Sequence, residues 1–105
     1  MIVYCDSSVL LKRIIDEPGS ADMRTQIQQF VSSGVAVATS ALGELEVARV
    51  CRRYFGEGGL DDARVALEDI AIHVASAFTI RADLVLTSDR QMRAACAELG
   101  LLVGP

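Results

Sequence analysis

The chain has 105 residues, of which 51% are hydrophobic and only 5% aromatic, so it is predicted to form one domain with an aliphatic core. Its net charge of −4 argues against a protein that coats DNA non-specifically, but not against a site that holds a cation before it meets a phosphate. No apolar run approaches the ~18 residues of a membrane span. The N-terminus also lacks the pattern of a signal peptide.

Predicted strands and helices alternate along the chain. In order, they are a strand at 2–5, a helix at 7–16, a helix from Ser20 as N-cap to about residue 30, a strand at 35–38, a helix at 40–55, a helix at 60–69, an apolar helical stretch at 71–80, a strand at 84–87, a helix at 89–99 and a strand at 101–103. This alternation predicts an α/β fold, a three-layer α/β/α sandwich around a short parallel sheet.

Two of the predicted strands end on a carboxylate, Asp6 after the first and Asp89 after the strand at 84–87. Functional sites of parallel α/β sheets lie beyond the carboxyl ends of the strands. Two carboxylates at this edge predict an acidic pocket for a divalent metal, and such a metal suggests phosphodiester chemistry.

Each aspartate also has a structural interpretation as a helix cap. Asp6 suits the N-cap of the helix at 7–16, although Ser7 or Ser8 can take that role and leave the carboxylate free. The spacing Ser88-x-x-Gln91 fits a capping box, which would release Asp89 from capping. Both interpretations stay open at the level of sequence.

The helix at 40–55 supplies a third acidic candidate. Glu46 shares a stripe with apolar residues, with Leu42 four positions before it and Val50 four positions after it. An acidic group on such a stripe needs a metal, a partner or access to solvent. Glu44 points to a different face, because two helical positions turn a side chain by roughly 200°.

The remaining candidates carry weaker signals. Arg49, Arg52 and Arg53 form a cluster with few acidic partners, suited to phosphate or to a solvated face. His73, the single histidine, lies in an apolar stretch and is interpreted as structural. The cysteines, at positions 5, 51 and 96, form no CxxC pattern, so we expect reduced, buried thiols in a cytoplasmic protein rather than a zinc site.

Four blocks of the sequence, in the right order, resemble the PIN-domain family, above all the VapC-type toxins of toxin–antitoxin pairs. The blocks are the segment from Val3 to Lys12, the segment from Thr39 to Val47, the segment from Ala71 to Ala77, and Leu86-Thr87-Ser88-Asp89 with the residues up to Gly100. In the family, the acidic residue of the second block falls six positions after the serine that ends the strand, which selects Glu46.

The resemblance implies an endoribonuclease that uses Mg²⁺ or Mn²⁺, held by Asp6, Glu46 and Asp89 as metal ligands and catalytic residues. Ser7, Ser8 or Ser88 would orient metal-bound water. The resemblance also implies an RNA substrate, a homodimer, and a cognate antitoxin that covers the site.

The third block departs from the family pattern. An aspartate usually precedes Ala-Ile-His, but Ile70 stands there and Asp69 comes one residue too early. We therefore expect that a segment is lacking between Ile70 and Ala71, together with a further catalytic aspartate.

Two other classes of function follow from the same residues. A catalytically inactive PIN-like binding module would explain the defective third block. A phosphoacceptor or phosphatase domain is disfavoured, because Ser8 stands where such phosphatases need a second aspartate, and Lys12 is the single lysine.

Overall fold

The computed structural model describes residues 1–73 and 82–104, and its centre is a sheet of five parallel strands. The strands are β1 (Ile2–Cys5), β2 (Ala36–Ser40), β3 (Ala71–His73), β4 (Leu84–Leu86) and β5 (Val103–Gly104). Their order across the sheet is β3-β2-β1-β4-β5, so β1 lies in the middle with β2 and β4 as neighbours.

Helices cover both faces of this sheet. They are α1 (Ser7–Leu11), α2 (Ser20–Ser32), α3 (Ala41–Phe55), α4 (Gly59–Ala66) and α5 (Arg90–Glu98), with a short 3₁₀ turn at Gly56–Gly58. The predicted α/β sandwich is therefore confirmed.

The two faces carry cores of unequal size because side chains alternate along each strand. Val3 and Cys5 point to the larger core, which contains buried residues of α1, α2, α3 and α4. Tyr4 points to the opposite face, where it packs with Val85 and with Cys96 of α5. Both faces of β1 are buried, so a shift of one residue in its pairing with β2 or β4 would turn its core side chains to the wrong face. The register of β1 is therefore fixed.

Two predicted boundaries in the first half of the chain are corrected. Helix α1 ends at Leu11 rather than at residue 16. Ser20 is not the N-cap of α2, since Gly19, with a φ of 87°, takes that position. The Ser20 hydroxyl is used by the preceding turn instead, where it donates to the Ile15 carbonyl (2.8 Å) and accepts from the Glu17 amide (3.0 Å).

The helix predicted at 71–80 is wrong for its first three residues. Ala71–His73 form β3, which pairs in parallel with β2 and aligns Ile72 with Thr39. The rest of that predicted helix lies outside the described residues. Strand β2 offers backbone hydrogen bonds to this tripeptide, whose central Ile72 is β-branched, and these bonds outweigh its helical pattern. The segment expected to be lacking between Ile70 and Ala71 stays a prediction.

Among the described residues, no helix combines the length and the apolar character that a membrane crossing requires.

The strand order creates a topological switch point between β1 and β4. From β1 the chain moves to β2 on one side, whereas from β4 it moves to β5 on the other. The helices that follow β1 and β4 therefore diverge, and a crevice forms at the carboxyl ends of these two strands, where open α/β sheets bind ligands.

The packing of α4 on α3 generates a prediction for two adjacent glycines. A Cβ at Gly59 would overlap the backbone carbonyl of Cys51 in α3, whereas a Cβ at Gly58 would meet nothing within 4 Å. We expect Gly59→Ala to lower the free energy of unfolding by ~1–3 kcal/mol, because backbone cannot yield as a side chain does. Gly58→Ala should be neutral or stabilising by up to ~1 kcal/mol.

Urea denaturation followed by circular dichroism measures both glycine variants. Equal effects of the two substitutions would contradict the close approach of α3 and α4.

Candidate active site

Asp6 is held at the end of β1 by several hydrogen-bond donors. Its Oδ1 accepts from the Ser8 hydroxyl (2.6 Å) and from the Val9 amide (3.2 Å), and the second of these bonds makes it the N-cap of α1. Its amide donates to the Leu86 carbonyl of β4 (3.2 Å). The interpretation of Asp6 as a cap is thus confirmed, and the alternative that Ser7 or Ser8 caps α1 is wrong.

Thr87 connects Asp6 to the end of β4. The Thr87 hydroxyl donates to Oδ2 of Asp6 and accepts from the Asp89 amide (3.0 Å). Thr87 is fully buried, so both bonds are shielded from water. Asp6 and Asp89 therefore lie at the same edge of the sheet, on neighbouring strands.

Asp89 is the N-cap of α5, so the predicted capping box with Ser88 is wrong. Oδ1 of Asp89 accepts from the amides of Gln91 (2.8 Å) and Met92 (3.1 Å). Ser88 instead donates its amide to the Ser8 hydroxyl (3.2 Å), which gives the two loops a second connection. A carboxylate is better suited than a hydroxyl to the positive end of the helix dipole.

Glu46 approaches the same edge from α3. Its Oε2 accepts from the hydroxyl of Ser7, the residue after Asp6, at 3.4 Å. Ser7 therefore contacts Glu46 and not Glu44, the other glutamate near the start of α3. The core-facing residues of α3 are Gly43, Val47 and Cys51, so the stripe that Glu46 shares with Leu42 faces outward. We call Asp6, Glu46 and Asp89 the acidic site.

Cys5, directly before Asp6, contributes no reactive thiolate to this edge. Burial, and to a lesser extent the neighbouring Asp6 charge, raise the pKa of the Cys5 thiol to about 12 against a smaller opposing effect of Arg13. The thiol is protonated at neutral pH and packs as a small apolar group. Cys51 and Cys96 are also buried and free, and burial raises their pKa values as well.

The other functional candidates from the sequence lie away from the acidic site, or their side chains are not described. Asp69 ends the turn before β3, with a φ of 63°, so it lies at the amino end of that strand and at the opposite edge of the sheet. Arg49, Arg52 and Arg53 are exposed, and none pairs with an acidic residue of the described ranges. The side chain of His73 is not described.

The oxygen donors of the acidic site suit a hard divalent cation. Within residues 1–73 and 82–104, however, no three acidic, histidine or cysteine side chains come close enough together to enclose a metal ion. Mg²⁺ retains several waters and needs only one or two protein carboxylates, so the donor set fits Mg²⁺ held largely through water. A site for a fully dehydrated ion is not formed by the described residues.

Sequence reasoning missed Thr87 as the centre of this arrangement. The signal was present, because a threonine directly after an apolar strand stands at the edge where Asp6 was expected. The Thr87 hydroxyl can donate and accept at once, whereas the Asp6 carboxylate only accepts and the Asp89 amide only donates.

The comparisons with known proteins agree with the resemblance seen in the motifs. Ribonuclease VapC47 of Mycobacterium tuberculosis (strain CDC 1551 / Oshkosh) is 29% identical over 128 residues, covering 96% of this chain and 94% of the relative. The alignment is longer than the 105 residues of this chain, so it includes positions of the relative that have no counterpart here. No protein-family model matches the chain.

Two buried threonines, one in β2 and one directly after β4, provide a test of the Thr87 link. Thr87→Val leaves Oδ2 of Asp6 without its donor and the Asp89 amide without its acceptor, so we expect a loss of ~1–3 kcal/mol in the free energy of unfolding. Thr39 is equally buried, but its hydroxyl has no partner among the described residues. Thr39→Val should therefore be neutral or stabilising.

Urea denaturation of the two valine variants compares them directly. A Thr87→Val protein as stable as the wild type would show that the link contributes nothing to the fold.

Proposed function

We propose that this protein, which is of the VapC type, is a metal-dependent endoribonuclease toxin with Asp6, Glu46 and Asp89 as its catalytic, metal-binding residues. The observation that carries the proposal is the convergence of Asp6 and Asp89 on Thr87, at the switch point of a parallel sheet. A relative that matches nearly the whole chain is called a ribonuclease, which supports RNA as the substrate.

The metal in this proposal is Mg²⁺ or Mn²⁺. When bound, it would lower the pKa of a water molecule and offset charge on the scissile phosphate. Asp6 and Asp89 would hold it, each with one oxygen already fixed by backbone amides, so neither side chain has to be ordered on binding.

The remaining groups of the site position water and substrate. The hydroxyls of Ser7 and Ser8 lie against the Glu46 and Asp6 carboxylates, where they can orient the hydration shell of a cation. Glu46 is half-buried, and it would accept a proton from a water at this edge. Thr87 is a positioning residue, since its contacts are with the two aspartates.

The competing candidate is a catalytically inactive PIN-like binding module. It is favoured by the third block, in which Ile70 replaces the expected aspartate and Asp69 lies at the far edge of the sheet. Such a module would bind Mg²⁺ or Mn²⁺ hardly at all, so calorimetric metal titration separates it from the enzyme.

The partners in this proposal are a cognate antitoxin and a second copy of the chain, in the cytoplasm. Helix α3 presents an apolar outer face, where the side chains of Leu42 and Leu45 are each about two-thirds exposed. Glu46 and Arg49 share a groove with the two leucines, so this face adjoins the acidic site. Exposed apolar patches of this kind mark protein interfaces.

Asp6→Asn tests the enzymatic proposal. The amide keeps the size of the side chain but removes the charge, so we expect RNA cleavage to fall by at least about a hundredfold. Asp83→Asn is a matched control, because Asp83 caps the opposite edge of the sheet, where Oδ2 accepts from the Ile2 amide at 2.7 Å. The control should cut RNA as the wild type does.

Cleavage of a mixed single-stranded RNA pool in chelator-treated buffer, with Mg²⁺ or Mn²⁺ restored, measures the effect. Full activity of Asp6→Asn would remove Asp6 from the mechanism, and full activity without added metal would remove the cation.

Leu45→Glu tests the proposed dimer. A charge in the middle of the outer face of α3 should convert a dimer to a monomer in analytical ultracentrifugation, because a buried unpaired carboxylate is strongly unfavourable. Leu99→Glu is the control, since Leu99 is similarly exposed at the end of α5, on the opposite side of the sheet. If the dimer persists in Leu45→Glu but is lost in Leu99→Glu, the interface lies on α5 and not on α3.

A further inference from the structure

A cleft of about 330 Å³ opens beside the acidic site, and the mechanism above makes no use of it. Thr87 and Ser88 form one wall, so the cleft begins where the acidic site ends. Its other walls come from α2, from the turn before it, from Lys12 and from Arg93 of α5. The volume is at the low end of the ~300–1,000 Å³ of small-ligand sites, and it suits one nucleotide unit rather than a duplex.

Two apolar residues provide surfaces against which a flat ring can pack. Met23 is almost fully buried and forms part of the core, whereas Pro18 lies exposed on the turn before α2. Gly19 lies between them in sequence and has no side chain to fill the space. RNA-binding proteins stack splayed-out bases mostly on aromatic rings or guanidinium planes, and in this cleft Pro18 and Met23 offer apolar contact in their place.

Two polar side chains line the same cleft from one face of α2. Asp22 and Gln26 are four residues apart, so they lie one above the other on the helix. The Asp22 carboxylate only accepts hydrogen bonds, whereas the Gln26 amide both donates and accepts. This combination reads the edge of a base that carries an amino group.

Arg93 supplies a cation on the wall of the cleft. Its Nη2 donates to the carbonyls of Thr87 (3.2 Å) and Gly104 (3.0 Å), which fixes the guanidinium at the mouth of the cleft. No described carboxylate pairs with it. Lys12 also lines the cleft, but its charge is already matched by Glu17 at 3.0 Å.

We propose that this cleft binds the unpaired RNA nucleotide next to the scissile phosphate, with the base between Pro18 and Met23, its amino-bearing edge on Asp22 and Gln26, and its phosphate on Arg93. The inference rests on the proposed function, because Thr87 is shared by the cleft and the acidic site. It deepens that function by naming where the substrate is selected.

Charge and shape favour a nucleotide over a peptide as the occupant. A free guanidinium suits a phosphate, and the neighbouring carboxylates of the acidic site need a cation between them and that phosphate. A cleft of this size holds no helix or strand of a protein partner. The protein can recognise a base in this cleft only in unpaired RNA, because the edge of the base that contacts the protein is occupied when the base is paired.

The test combines cleavage and binding. A short single-stranded RNA with randomised positions is cleaved by the wild type, by Gln26→Ala, by Asp22→Asn and by the control Gln29→Ala, and the products are sequenced. Gln29 is an exposed glutamine of the same helix that does not line the cleft. We expect Gln26→Ala to weaken the preference at one position beside the cut by roughly tenfold.

Asp22→Asn should move that preference from amino-bearing bases towards uracil, because the new amide can donate to its carbonyls. Gln29→Ala should leave the preference unchanged. Binding is measured separately, by NMR titration of the wild type with cytidine and uridine monophosphates in the presence of chelator. Shifts at the amides of Asp22, Met23 and Gln26 are expected, stronger for cytidine.

The outcomes separate the inference from the function on which it rests. Cleavage with an unchanged pattern in both cleft variants overturns the inference and leaves the ribonuclease intact. Nucleotide shifts in the cleft without cleavage by any form uphold the nucleotide site and overturn the enzyme. The absence of both nucleotide shifts and cleavage would overturn the inference and the proposed function together. Circular dichroism establishes that each variant is folded.

Discussion

The hydroxyl of Thr87 is the interaction on which the acidic site depends. It donates to Asp6 and accepts from the Asp89 amide, so it joins the end of β1 to the loop after β4. Residues 81 positions apart thereby become neighbours. Two carboxylates held near each other repel unless donors or a cation lie between them. The buried threonine and the amides that begin α1 and α5 are those donors.

The same aspartates serve the fold and the proposed chemistry. Each caps a helix through one oxygen, and the second oxygen of Asp89 has no hydrogen-bond partner among the residues that the structure describes. A capping side chain is fixed before any ligand arrives, which suits a group that must hold a hydrated cation in place. Capping and metal binding are therefore compatible roles for these residues.

Two helices of the larger core flank this edge of the sheet. Helix α3 brings Glu46 against Ser7 and leaves an apolar face of leucines exposed beside it. Helix α2 lies on the other side and forms the cleft with Ser88 and Arg93. The acidic site thus lies between a surface suited to a protein and a cleft suited to a nucleotide.

The sequence by itself determined the end of β1 and, within one residue, the end of β4, and with them the positions of Asp6 and Asp89, because apolar β-type runs followed by a carboxylate are local patterns. It also indicated Glu46, through the order of the blocks. The tertiary structure decided the features that depend on contacts between segments distant in sequence. Residues 71–73 form an edge strand because β2 offers them backbone partners, Ser20 is taken by the turn before its helix, and Thr87 becomes the link between two aspartates. Each of these depends on groups distant in sequence, whose hydrogen bonds exist only once the sheet has brought them together.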